Sequence, residues 1–157
     1  MLFRSQAPSR PWFEHNLRAI VGRLKSLANA GIALASLPEI GEAPFSTNPV
    51  QSALNTSFAD YAAIIERVAN EEGAAYVPCY ERFHERVVAE PGKAFTSFSF
   101  REFYRDYLWR EFILHYGFDE IADMNGWKFH IDGVHLNTRG GMILADTVRD
   151  YLDGDRP

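Results

Sequence analysis

A chain of 157 residues with 46% hydrophobic and 24% charged residues suits one domain with a real core, which excludes a collagen-like, low-complexity or wholly disordered polymer. Sixteen Lys and Arg against 21 Asp and Glu leave a formal charge of −5, an acidic balance that argues against a dedicated nucleic-acid-binding module. The single cysteine, Cys79, excludes an internal disulfide and a Cys-rich zinc site.

No apolar run reaches the ~18 residues of a membrane span, so no integral membrane segment is expected. The start, MLFRSQAPSRPW, lacks the apolar stretch of a secretory signal. With no disulfide, the chain as written reads as cytoplasmic, secretion being reserved for a longer parent.

Residues 1–11 carry Pro8 and Pro11 and read as an irregular lead-in, leaving 12–157 as one domain. From Trp12 to Asn29 the residues Phe13, Leu17, Ile20, Val21, Leu24, Leu27 and Ala28 recur at helical spacing and predict one buried stripe, stopped by Gly31. Ile32–Leu37 shows no alternation and reads as a strand buried on both faces, as in a parallel sheet. Pro38 to Pro49 holds three prolines and is a loop; after a parallel strand, such loops often carry the chemistry. Its Glu39 and Glu42 read as solvated carboxylates, with pocket lining as the alternative.

A second helix is predicted over about Val50–Glu72, ended by Gly73, and Ala74–Val77 then reads as a second short buried strand. Tyr80 to Tyr116 is mostly helical, broken near Pro91-Gly92. Its later part concentrates aromatic residues from Phe95 and Phe98 through Tyr107 and Trp109 to Tyr116. The plain reading is an amphipathic helix on the sheet, with Glu102/Arg105 and Asp106/Arg110 as a solvated face. The sharper reading is a lid or acyl-binding wall. A short helix follows at Phe118–Ala122, ending at Asn125-Gly126. Trp127–Ile131 alternates and reads as a strand or extended segment, and Asn137 or Thr138 opens a last helix to about Leu152, with Ile143, Leu144, Val148 and Leu152 as its stripe.

The chemistry concentrates in His130-Ile-Asp132-Gly-Val-His135-Leu-Asn137. An Asp and a His three apart in a turn can bring the carboxylate to imidazole Nδ1–H, which fixes the tautomer and frees Nε2 as a general base. Gly133 relaxes the turn, Asn137 caps the next helix, and Gly140-Gly141 permits close backbone approach. A capping Asp beside a surface His would show the same spacing. His130, Asp132 and His135 also form a His-x-Asp-x-x-His pattern with the donor types of an open zinc site. His15, His84 and His115 stand outside any motif and read as structural or surface residues, and Cys79 as a small buried thiol.

The run DGVHLNTRGGMILADTV resembles the C-terminal block of the SGNH/GDSL hydrolases, a family of esterases and lipases. The upstream NLRAIVGRLKSLANAGIALASLPEIGE, AAYVP and WKFHIDG are similar to that family's elements in the same order. The resemblance covers most of Trp12 to Leu152. It implies a flavodoxin-like three-layer α/β/α sandwich with a parallel sheet, in which Asp132 matches the triad acid and His135 the triad base. No cofactor and no metal are implied. The family's Gly-Asp-Ser nucleophile motif and its Gly-x-Asn-Asp motif do not occur in this chain.

The resemblance therefore implies the C-terminal part of a truncated or split hydrolase, with a sheet incomplete on its N-terminal side. The expected activity is serine-type hydrolysis of a small-molecule, lipid or carbohydrate ester, weak or absent in this chain alone. A non-catalytic α/β subunit or interaction module is the second expectation, and a metal-dependent hydrolase using His130, Asp132 and His135 the third. A small parallel sheet with an open edge should leave an apolar face for a homo-oligomer or a complementing N-terminal segment.

Overall fold

The computed structural model describes residues 9–27, 29–97 and 99–154. Residues 1–8 of the expected lead-in, Ala28 of the first stripe and Phe98 of the aromatic run lie outside them. Helix α1 spans Arg10–Leu27, two residues earlier than the periodicity suggests, because Ser9 accepts the N–H of Phe13 at its carbonyl (2.9 Å) and of Trp12 at its hydroxyl (3.4 Å). Strand β1 covers Ala33–Ala35, helix α2 Pro49–Glu72, and strand β2 Ala75–Val77. The two strands pair in parallel, Ala33 with Ala75 and Ala35 with Val77. The crossover between them is α2, which packs on both.

Local signals set the ends of α2. Asn48 accepts the N–H groups of Val50 (3.0 Å) and Gln51 (3.4 Å), Pro49 occupies the first turn, and Gly73 takes the left-handed conformation (φ 61°) that closes it. Helix α1 packs on α2, where Phe13 meets Tyr61 edge to face at 4.8 Å and Arg18 pairs with Glu14, Glu71 and Glu72. The expected stripe is only half covered. Val21 is buried, while Ile20, Leu24 and Leu27 face outward.

Helix α3 runs Cys79–Ala89, followed by an irregular stretch, α4 at Phe100–Phe103 and a π-helix at Tyr104–Ile113. Helix α5 spans Phe118–Asn125 and α6 Thr138–Asp153. Asn137 caps α6 by accepting the Gly140 N–H (3.0 Å). Helices α3 and α6 pack together, and Phe83, Val87 and Phe129 form a core cluster backed by Leu136, Ile143 and Leu144. A Cβ on Gly140 would fall 2.2 Å from the Phe129 carbonyl oxygen, so this glycine lets α6 lie against the preceding loop. Gly141 has open space around it. Farther along the α6 stripe, Val148 and Leu152 are exposed.

The sheet has two strands among the described residues, so the architecture is a mostly helical α/β fold with a small parallel sheet. Two expectations need correction. Strand β1 is not buried on both faces: Ala33 and Ala35 are exposed, and among the described residues β1 pairs on one edge alone. Trp127–Ile131 is not a strand. The Glu42 carboxylate takes the N–H groups of Lys128, Phe129 and His130 together. In a strand, successive N–H groups point alternately to opposite sides, so three converging on one carboxylate rules out the pleat. One antiparallel bridge, His130 to Leu136, is what forms instead.

Candidate functional site

The site lies where the loop after β1 meets the loop before α6, near the carboxyl end of the strands, as expected for parallel units. The first loop threads between two others. Gly41 N–H donates to Gly133 O (2.8 Å), Glu42 N–H to Lys93 O (2.9 Å), and Gly92 N–H to Glu42 O (2.6 Å). Buried Gln51 donates to Ile40 O (2.8 Å) and accepts from Phe95 N–H (2.6 Å). The loop thus behaves as an interior spacer whose backbone groups are paired.

Glu39 and Glu42 are buried, at 2% and 0% exposure, and the reading of them as solvated carboxylates is overturned. The prolines and polar residues around them suggest a surface loop, but their partners come from distant segments. Burial pushes the Glu42 carboxyl up. The His130 imidazole and the Lys128 and Phe129 N–H groups outweigh that and hold it below the usual carboxylate range. Burial dominates at Glu39 and raises its carboxyl, only partly offset by His84 Nδ1 at 3.0 Å. His84 is therefore a partner of a buried acid rather than an isolated surface residue.

His130 does not join Asp132 and His135. Its ring is fully buried, with Nδ1 3.0 Å from Glu42 Oε1 and Nε2 3.1 Å from Glu39 O. Both nitrogens are committed, and no His/Cys/Asp/Glu cluster among the described residues could hold a metal ion. The zinc pattern in the sequence is thus a coincidence of spacing. Its premise, a pleated strand placing His130 and Asp132 on one face, fails with the strand itself. Cys79 is buried, and its thiol is pushed up by burial and by the Glu81 charge, the opposite of the shift an activated thiolate needs.

Asp132 and His135 do come together. Asp132 Oδ1 accepts the N–H groups of Val134 (3.0 Å) and His135 (2.8 Å), which fixes the carboxylate in the turn. Gly133, at φ 90°, supplies the left-handed step and packs under the Trp127 ring. Oδ2 lies 2.8 Å from His135 Nδ1. The Ile131 N–H donates to His135 O (2.7 Å) and closes the loop behind the pair. Burial pushes the Asp132 carboxyl up, but the His135 N–H and imidazole and the Val134 N–H hold it below its ordinary value. The His135 ring is open to solvent (59%), while Asp132 is largely covered (16%). Nε2 of His135 has no partner, serine hydroxyl or other, among the described residues.

The aromatic segment borders this pair. The Tyr107 hydroxyl donates to Asp132 Oδ2 (3.1 Å) and lies 3.4 Å from His135 Nδ1. The π-helix packs on α5, not across the strands as expected, and the supposed solvated face contains a buried acid. Asp106 is 2% exposed and is held by Arg105 (2.7 Å), Arg110 (3.0 Å) and Asn125 (2.7 Å). Asn125 also donates to Ile131 O (3.3 Å), tying the π-helix to the residue before Asp132. A cavity of about 480 Å³ opens beside the pair, lined by Phe95, Ser97, Glu102, Arg105, Trp127 and Asp132. The contacts of Tyr107 with Asp132, of Asp106 with Asn125 and of Glu42 with His130 escape a reading of the sequence because they span 25, 19 and 88 residues, whereas the Asp106–Arg110 pair sits at helical spacing.

No helix among the described residues is long and apolar enough to cross a membrane. The sequence matches no protein-family model and no curated protein. The structure resembles solved hydrolases. A variant of Axe2, an acetyl-xylooligosaccharide esterase from Geobacillus stearothermophilus, matches with a TM-score of 0.55 at 19% identity, over 88% of this chain and 44% of that one. The acetyl xylan esterase AlAXEase matches at 0.57 and 16% identity, over 95% and 58%. LAE5, an α/β hydrolase from the metagenome of Lake Arreo, Spain, matches at 0.54 and 20%, over 94% and 48%. This chain thus spans about half the length of the solved structures it matches, and over that span it has the fold of an esterase-type hydrolase.

Proposed function

We propose that this chain carries the acid–base part of an SGNH-type serine ester hydrolase acting on acetylated carbohydrate. Asp132 is its acid and His135 its base. The observation that carries the reading is the 2.8 Å contact between Asp132 Oδ2 and His135 Nδ1, with Nε2 turned outward. A serine hydroxyl attacks the acyl carbonyl and passes its proton to Nε2. The leaving alcohol takes that proton back, and Asp132 stabilises the imidazolium between the two transfers. The acetyl xylan esterases among the structural neighbours support the choice of acyl group and alcohol. The polar and aromatic lining of the adjoining cavity suits a sugar. The serine itself is not one that the described residues bring to Nε2.

The test is hydrolysis of p-nitrophenyl acetate and acetylated xylooligosaccharides, by the 157-residue protein and by its reading frame extended upstream of Met1. A fall of roughly 10⁶-fold, or to the background rate, on His135→Ala supports the reading. Equal hydrolysis by parent and variant in both forms sinks it.

A second reading, a non-catalytic interaction module, draws on a specific feature. Phe100, Tyr104, Trp109 and Phe112 are all more than half exposed along α4 and the π-helix. In this reading the open edge of β1 and that aromatic face receive a second copy or a complementing segment. Binding that survives His135→Ala, with no esterase activity in either form, would favour it.

A further inference from the structure

We infer that Tyr107 is a positioning residue of the acid–base pair, its hydroxyl holding Asp132 Oδ2 in register for His135 Nδ1–H. The inference rests on the assignment of Asp132 and His135 above and adds a residue that no sequence motif marks. Four contacts place Tyr107. Its hydroxyl donates to Asp132 Oδ2 at 3.1 Å, its ring meets the His135 imidazole edge to face at 6.1 Å, and it packs at a tilt against the rings of Phe103 (4.8 Å) and Phe118 (6.0 Å). The neighbouring Asp106–Asn125–Ile131 chain anchors the backbone on both sides of the contact. A π-helix carries the residue, a local geometry that is rare and often tied to function.

The physical role follows from the lone pairs of one carboxylate. Oδ1 is filled by two backbone N–H groups, and Oδ2 receives the imidazole and the phenol. With four donors the carboxylate has one orientation, and the imidazole it holds presents Nε2 outward. The phenol also favours the ionised carboxylate. Reciprocally, burial and the Asp132 charge push the Tyr107 hydroxyl well above its ordinary range, so it stays a donor at neutral pH. Of the other charged groups around this corner, Arg105 and Arg110 hold Asp106 on the π-helix, Asp119 of α5 accepts the Thr138 N–H, Lys93 donates to Asn125 O, and Glu102 lines the cavity beside Asp132.

The experiment is a ¹³C NMR titration of the Asp132 carboxyl, with the His135 tautomer read from its ¹⁵N shifts. Tyr107→Phe keeps the ring and removes the donor. It should raise the Asp132 midpoint by about half to one pH unit and loosen the preference for the Nδ1–H tautomer. Site-specific 3,5-difluorotyrosine at position 107, a stronger donor of the same shape, should move the midpoint down. Phe103→Leu, which loosens packing and leaves the hydroxyl, should move neither. An unmoved midpoint in both Tyr107 variants overturns the inference, as does an equal shift in Phe103→Leu. Failure of the esterase reading shows separately, as hydrolysis indifferent to His135→Ala.

Discussion

His130 and His135 sit in one loop and each meets a carboxylate at hydrogen-bond distance, 3.0 Å to Glu42 and 2.8 Å to Asp132. The first pair is sealed, with both side chains at 0% exposure. The second has a covered acid and an open imidazole. Glu42 gathers three consecutive backbone N–H groups, and the His130 ring spends its second nitrogen on a backbone carbonyl. That pair is a joint between loops. In the second pair one ring nitrogen is oriented and the other is free, the arrangement a general base needs. The same two functional groups thus close a joint or leave one ring nitrogen exposed, according to which lone pairs the fold leaves open.

The sharpest way to break this comparison is to remove each imidazole's role in turn. In whichever form of the protein hydrolyses acetyl esters, His135→Ala should lower activity by roughly 10⁶-fold or to the background rate, and its thermal midpoint should stay close to the parent's because the ring is largely exposed. A comparable loss of stability would show that the two pairs share one structural task. Glu42→Ala should do the opposite. It strands His130 and three buried N–H groups and should cost about 3–5 kcal/mol in urea unfolding. A cost under ~1 kcal/mol would remove the joint from the account.

A glycine pair sharpens the packing side of the comparison. Gly140→Ala drives a Cβ into the Phe129 carbonyl and should destabilise by roughly 1–3 kcal/mol. Gly141→Ala meets open space within α6 and should stabilise by roughly 0.5–1 kcal/mol. Equal effects at both positions would contradict the close approach of α6 to the loop that carries both histidines.

The smallest effect is in the pH dependence. The Glu42 and Asp132 carboxyls are lowered in the folded state, so each contributes stability above its unfolded value, 4.5 for Glu and 3.8 for Asp. That contribution is lost as pH falls through the folded values. Glu39 is raised, so its sign reverses: its contribution is full below 4.5 and is lost as pH rises through the folded value. Urea midpoints between pH 3 and 8 should therefore show a shallower acid limb in Glu42→Gln and a smaller loss above pH 4.5 in Glu39→Gln. Parallel curves for parent and both variants would refute these signs.

What the sequence by itself determined is local. Asn137 as a cap, Gly73 and Gly126 as stops, and the Asp132–His135 contact all depend on residues a few positions apart, and the order of apolar runs along the chain implies the two parallel strands around a helix. Backbone geometry at such spacing leaves few alternatives, so periodicity and turn chemistry suffice. Tertiary structure alone decided the rest. Trp127–Ile131 alternates like a strand, yet a carboxylate 86 to 88 residues away claims its N–H groups. Asp106 and Asp132 belong to different motifs in the chain, and the π-helix and Asn125 bring them to one corner. Whether a carboxylate, an imidazole or a small strand is covered depends on which distant segment settles over it, and no pattern of neighbours along the chain records that.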